Sequence, residues 1–247
     1  MRVTDGRNHQ LVELPGTTRR LLRLYVHLPC TSGTVGATDM RTLLVADVLL
    51  RAVEADGHQV VNDLVHPELL PEQSKALDRV MSSLAVHPPA GLTGGADVHV
   101  FGDARRDGEQ GVWIEVGRVQ PDSSPELVEL GEAEDFDPLA VRLALLSHPY
   151  RRPVPLTPDD IADAERDLVR WRSCVAEWAR TPSRPVPDTF RRRAENALAE
   201  DLDTSDVLHV LRRVEASQET PAGAKFETFA LLDRFLSLDL AREVGRA

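Results

Sequence analysis

Lysine is almost absent from this chain: Lys75 and Lys225 are the only two among 29 basic residues. Cysteine is scarce as well. Cys30 and Cys174 lie far apart, so a disulfide framework is not what holds the fold, and a reducing compartment is the expectation. No stretch approaches the roughly 18 uninterrupted apolar residues of a membrane span. The first ten residues are polar and lack the apolar core of a signal peptide, so the expectation is a soluble, cytoplasmic protein with no membrane partner. Positive charge is also in deficit: the formal net charge is −11 and the pI about 5.2. Such a surface repels phosphate backbones, whose non-specific binding depends on lysines and arginines displacing counterions. The basic residues that remain come as Arg19-Arg20, Arg105-Arg106, Arg151-Arg152, Arg191 to Arg193 and Arg212-Arg213. Scattered pairs on an acidic chain read as solvated faces with local ion pairs rather than as a nucleic-acid patch.

What is present reads as an α/β unit followed by helices. Residues 21–28 (LLRLYVHL) form a short apolar run rich in strand formers, ending at Pro29. A loop of small residues follows (CTSGTVGAT, 30–38), and Asp39 is placed to cap a helix running to about Asp56. Gly57 stops it, and residues 58–64 (HQVVNDL) read as a second strand, the pattern of a right-handed crossover. A short helix over 71–84 and strands over 97–101 and 112–119 follow. From Asp137-Pro138 onward the pattern is helical. Thr157-Pro158-Asp159-Asp160 is a capping box. After it Ile161, Ala164, Leu168, Trp171, Val175 and Trp178 step by three and four along one face, the spacing of a packed helix–helix seam. Further helices are expected around 190–200, 205–215 and 225–236. The expected division is an α/β domain over residues 1–150 and an antiparallel helical bundle over 151–247.

Four stretches carry a family resemblance. Residues 25–51 read YVHLPCTSGTVGATDMRTLLVADVLLR, 137–151 DPLAVRLALLSHPYR, 163–171 DAERDLVRW and 197–208 ALAEDLDTSDVL. In this order they resemble the cysteinyl-tRNA synthetases and their mycothiol-pathway cousin, the cysteine:glucosaminyl-inositol ligase. Those proteins carry YVCGxTVYDxxHIGHxRT, DPLALRLLLLSxHYR, EAEAALERL and ALDDDLDTPxAL. The resemblance is weakest between Val65 and Gly111 and implies a reduced Rossmann-like domain of the class I synthetase (HUP) type with a helical bundle behind it. The end of the chain, near LSLDL, is similar to the shorter ligase rather than to synthetases that continue into an anticodon-recognising region. On these grounds the chain is expected to be a truncated, degenerate paralogue.

The resemblance also says which chemistry to look for. The family's HIGH motif donates imidazole hydrogen bonds to ATP phosphates at a helix N-terminus, and its four positions align here with Gly36, Ala37, Thr38 and Asp39. Both imidazoles are replaced, one by a carboxylate that would repel phosphate. The KMSKS lysines should fall at residues 120–130, where QPDSSPELVEL contains no lysine or arginine, leaving Arg118 as a partial substitute. The family's zinc takes cysteine, cysteine, histidine and glutamate ligands. Its first cysteine aligns with His27, its FPHHENE run is replaced by FGDARRD at 101–107, and His27 with Cys30 offers only an H-x-x-C pair. Ser32, Ser123 and Ser124 lack a nucleophile-elbow context. Cys174 beside the tryptophan seam reads as packing, Asp201 and Asp203 as cap and linker, and Asp47 as a structural hydrogen-bonding group.

The expected reading is a non-catalytic paralogue whose residual ligand pocket comprises Thr34, Gly36, Thr38 and Asp39. It has no resident cofactor, at most weak ATP binding and no zinc, and its partner is a small molecule or a protein rather than tRNA. The alternative is a divergent ATP-dependent cysteine ligase or synthetase-like enzyme with a rebuilt site. A tRNA-binding accessory factor is disfavoured by the charge.

Overall fold

The computed structural model describes residues 1–14, 21–102, 110–120 and 136–246. The chain opens with an antiparallel hairpin, β1 (Arg2–Asp5) and β2 (Gln10–Glu13). A four-stranded parallel sheet follows, built from β3 (Leu21–His27), β4 (Gln59–Val65), β5 (Val98–Gly102) and β6 (Val112–Val116) in the order β4-β3-β5-β6. Between them lie α1 (Ala37–Ala55) and α2 (Pro71–Ser83). A two-residue strand β7 (Val119–Gln120) pairs with β8 (Val154–Pro155), and α3 (Leu139–Leu146) lies between them. The C-terminal region is α4 (Pro158–Trp178), α5 (Asp188–Ala199), α6 (Thr204–Ala216) and α7 (Ala222–Leu236). This is an α/β Rossmann-like sheet with a C-terminal helical region, as the sequence indicates.

Alternation along the strands makes two different faces. Leu22, Leu24 and Val26 on β3, Val98 and Val100 on β5, and Ile114 and Val116 on β6 are buried and apolar. They share one core cluster with α1. The residues between them, Tyr25, His27, His99, Phe101 and Trp113, form a chain of ring contacts across the sheet. After α2 the chain passes the outer edge of β4, where Ala90 N–H bonds Asn62 O, and reaches the ring-bearing face. There the Tyr25 hydroxyl donates to the carbonyls of Leu92 and Gly94.

The central element is α1. Every residue from Ala37 to Leu50 is buried, because the helix contacts all four strands of the sheet and also α2, α3 and α7. Three of those buried residues are charged: Asp39, Arg41 and Asp47. Each must be answered by hydrogen bonds or counter-charge, and what answers them differs.

Two local expectations need correction. Asp39 is not the N-cap of α1: the helix begins at Ala37 with Gly36 as N-cap, and Asp39 is its third residue. The strand expected over 112–119 breaks at Gly117-Arg118 into β6 and β7, where Gly117 N–H turns to Tyr150 O and passes so near the Arg152 backbone that a side chain would lie 2.4 Å from it. The capping box of α4 is present, with Thr157 Oγ1 accepting from Asp160 N–H and Thr157 N–H donating to Asp160 Oδ2. Its Ile161, Ala164, Leu168, Trp171 and Val175 are buried, and Trp171 and Trp178 both meet Phe229 of α7 edge to face.

Candidate functional site

The sheet order changes direction at β3, whose successor β4 lies on one side and β5 on the other. In open parallel sheets the crevice for ligands lies at that point, beyond the carboxyl ends of the strands. Here the N-terminus of α1 and the loop after β3 occupy it. The loop turns tightly: Cys30 and Ser32 adopt left-handed φ of 40° and 58°. Across the crevice Gly102 ends β5, and a β-carbon there would sit 2.2 Å from Thr42 Oγ1. Strand end and helix therefore touch.

The four residues expected in the pocket do gather here, in unequal states. Thr34 is exposed and its hydroxyl donates to Thr31 O (2.8 Å); Gly36 is half-buried. Thr38 is 1% exposed, and its Oγ1 accepts from Val119 N–H at 3.1 Å, so the α1 start meets the segment after β6. Asp39 is 2% exposed. Its Oδ1 accepts from Cys30 N–H (3.0 Å) and its Oδ2 from Gly36 N–H (2.8 Å). The positive end of the helix dipole is thus met by a carboxylate of the chain itself.

Cys30 lies against that carboxylate. Burial, reinforced by the Asp39 charge and its hydrogen bond, pushes the thiol up to about 12. The reactive species is the thiolate, so Cys30 should be inert in the folded protein. With excess iodoacetamide at pH 8, Cys30 is expected to stay unmodified until denaturant is added, as read by peptide mass mapping. Labelling in the native state at the rate of a free thiol would contradict this.

The same two residues bear on a zinc site. His27 Nε2 and His99 Nδ1 are 2.9 Å apart, His99 Nε2 lies 2.9 Å from Gln110 O, and His27 stacks on Phe101. Because a carbonyl can only accept, His99 carries a proton on Nε2; with that ring neutral, its Nδ1 accepts from His27 Nε2–H. A zinc-bound cysteine must be a thiolate, whereas burial and the Asp39 carboxylate beside it favour the protonated Cys30 thiol. Among the described residues no group of three histidine, cysteine, aspartate or glutamate side chains is placed to hold a metal. His27 and Cys30 offer two donors where a tetrahedral zinc site takes four. His99 was missed in the sequence reading, although its alternation in VHVFG is the signal that faces it toward His27. Of the two family windows discussed above, residues 103–107 and 121–130 lie outside the described residues.

A larger space lies elsewhere. A cleft of about 700 Å³ opens between the β1–β2 hairpin, the end of β6, residues 149–152 and residues 200–203. Asp201 organises it, accepting from Thr4 N–H (2.7 Å), the Thr4 hydroxyl (2.9 Å) and the Tyr150 hydroxyl (2.6 Å). Burial and the Asp201 carboxylate hold the Tyr150 phenol well above its ordinary range, so it stays a neutral donor. Glu115, Glu200, Arg151 and Arg152 give the lining both signs of charge. The expectation of cap and linker for Asp203 and Asp201 holds in part: Asp203 caps α6 through Asp206 N–H, while Asp201 ties the hairpin to the helical region. Its volume is that of a small-molecule site.

No family model matches the chain. Among curated proteins it is 34% identical over 111 residues to the L-cysteine:1D-myo-inositol 2-amino-2-deoxy-alpha-D-glucopyranoside ligase of Streptosporangium roseum, covering 43% of this chain and 26% of that protein. The protein of the same name from Thermobispora bispora is 32% identical over 125 residues, 50% of this chain and 30% of the relative. That from Catenulispora acidiphila is 39% identical over 87 residues, 35% and 19% respectively. The matches thus span less than a third of each relative's length.

Proposed function

We propose, from the premise that this chain is a sequence relative of the L-cysteine:1D-myo-inositol 2-amino-2-deoxy-alpha-D-glucopyranoside ligases, that it keeps their scaffold without activating an amino acid. Its role in this reading is to bind a small ligand or a protein partner. One observation carries the proposal: the Asp39 carboxylate sits buried at the α1 N-terminus, bonded to Cys30 N–H and Gly36 N–H. A phosphate brought to that helix start would meet a fixed negative charge, and in a partly dry pocket the repulsion costs on the order of a few kcal/mol. The absence of lysine and arginine from residues 120–130 removes the second source of positive charge. The reading therefore includes no ATP at the helix start and no resident zinc. With a net charge of −11 it also excludes tRNA as the partner. The 700 Å³ cleft around Asp201 is the space offered to a small ligand.

The Thr38–Val119 hydrogen bond favours a second reading. It keeps the α1 start beside the segment after β6, where Arg118 lies, so a divergent ligase could work from a site rebuilt there. Equilibrium dialysis with ATP separates the two. The first reading expects no saturable binding by the unmodified protein. It expects Asp39→Asn, which keeps one oxygen for one of the two loop amides and loses the charge, to bind ATP about tenfold or more above the detection limit set by the unmodified protein, equivalent to about 1.4 kcal/mol. Saturable binding by the unmodified protein that Asp39→Asn weakens would support the rebuilt site.

A further inference from the structure

Of the three buried charges on α1, Asp47 is paired with Arg142 and Asp39 accepts from two backbone amides, while Arg41 is met by carbonyls. It is 1% exposed. Its Nη1 donates to Gly117 O (2.8 Å) and Arg152 O (2.6 Å), and its Nη2 to Pro149 O (2.8 Å). Three carbonyls solvate the guanidinium but bring no negative charge. Among the described residues no carboxylate acts on it; burial depresses its proton affinity, to about 10. At neutral pH it is therefore a full cation in the interior. A buried cation without a partner costs several kcal/mol even after relaxation.

The arginine also has an unused donor. Its Nε–H is buried and makes no hydrogen bond. Arg41 lines a small pocket walled by aliphatic side chains of α1 and α3, among them Val45, Val48 and Leu145, with His148, Tyr150 and Thr204 as further polar lining. The centre of a water-sized sphere has about 10 Å³ to move in there, so the pocket is somewhat larger than one such sphere. Burial and the Arg41 charge hold His148 below its ordinary range, so at neutral pH its imidazole adds no second positive charge.

We propose that this pocket is a binding site for one small monoanion, a halide or the head of a small carboxylate, held by Arg41. So small a space favours a monatomic or planar anion over tetrahedral phosphate or sulfate, and the aliphatic walls strengthen a single charge–charge contact by keeping water away. The site is separate from the α1 N-terminus, where the chain supplies its own carboxylate, and does not depend on the functional reading above. Arg41 donates to the Pro149 and Arg152 carbonyls, and both residues line the 700 Å³ cleft, so the anion site and one wall of that cleft share this arginine.

Crystals of the unmodified protein grown or soaked in bromide give the direct test. The expected result is an anomalous peak in the pocket within hydrogen-bonding reach of Arg41 Nε. In solution, melting at constant ionic strength should show a saturable rise in Tm with chloride, bromide or formate and none with gluconate, which is too large to enter. Arg41→Gln should abolish the dependence. A formate midpoint at lower concentration than chloride assigns a carboxylate as the preferred occupant; the reverse order assigns a halide. A pocket without an anomalous peak, together with identical melting in chloride and gluconate, overturns the proposal. Should Arg41→Gln fail to fold, the unmodified protein decides the matter alone.

Discussion

Asp47→Ala is expected to cost about 3–5 kcal/mol of folding stability, the range for breaking a buried ion pair from one side. Asp47 and Arg142 are both fully buried, with Asp47 Oδ2 2.5 Å from Arg142 Nη2. The carboxylate also accepts from Arg51 Nε (2.8 Å) and from the His87 backbone N–H and ring Nδ1 (3.0 and 2.7 Å). Arg142 in turn bonds Leu236 O and Leu84 O, so one pair ties α1 to α3, to the end of α2 and to the end of α7. Removing the carboxylate strands a cation that cannot discharge near neutral pH. Urea unfolding at pH 7 measures the loss. Replacing both residues, as Asp47→Leu with Arg142→Met, should cost less than Asp47→Ala alone. Recovery should stay incomplete, because the Leu84 and Leu236 carbonyls then lack a donor. A loss under about 1 kcal/mol for Asp47→Ala would contradict this account.

The pair also sets a pH dependence. Burial alone would raise the Asp47 carboxyl, but the hydrogen bond from His87 and the charges of Arg142 and Arg51 outweigh it and hold the group well below the usual carboxylate range. A depressed folded-state value means the stabilisation is fully present above the unfolded value, about 3.9, and is lost as pH falls toward the folded value. Stability should therefore drop below about pH 4, and Asp47→Asn should flatten that part of the profile.

Which parts of this molecule were legible in its sequence follows from how local each cause is. Strands β3 to β6 and helices α1 to α7 follow from alternation, helical periodicity, proline and glycine positions and capping residues, all of which act within a few residues. The burial of α1 on every side shows in its run of apolar residues from Leu43 to Leu50, interrupted only by Asp47. The N-terminal hairpin was not legible: β2 is mostly exposed, and β1 is held by Asp201, 197 residues away from Thr4. The partners of the buried charges are equally distant, with Arg142 lying 95 residues from Asp47 and the acceptors of Arg41 between 76 and 111 residues away. Asp39 shows how residue type and role can separate. An aspartate before an apolar helix suggests an N-cap, yet Gly36, without a side chain, takes that position because Asp39 can reach back to its N–H from the third residue. The cleft around Asp201 draws on four separate segments, and nothing local announces it.

Amino-acid-dependent exchange of labelled pyrophosphate into ATP tests the central claim most directly. A ligase that activates its amino acid as an adenylate must stabilise charge developing on the leaving pyrophosphate. Losing one preorganised donor to such charge typically costs about 100- to 1,000-fold in rate. Here Gly36 and Asp39 stand where the resemblance places imidazoles, and residues 120–130 offer no lysine. The losses act on one transition state and need not add, but together they should take exchange below detection. The account predicts no exchange with cysteine or with any other standard amino acid. Exchange by the unmodified protein with any amino acid, abolished by Asp39→Ala or Arg118→Ala, would contradict the non-catalytic reading and locate a rebuilt site at the start of α1.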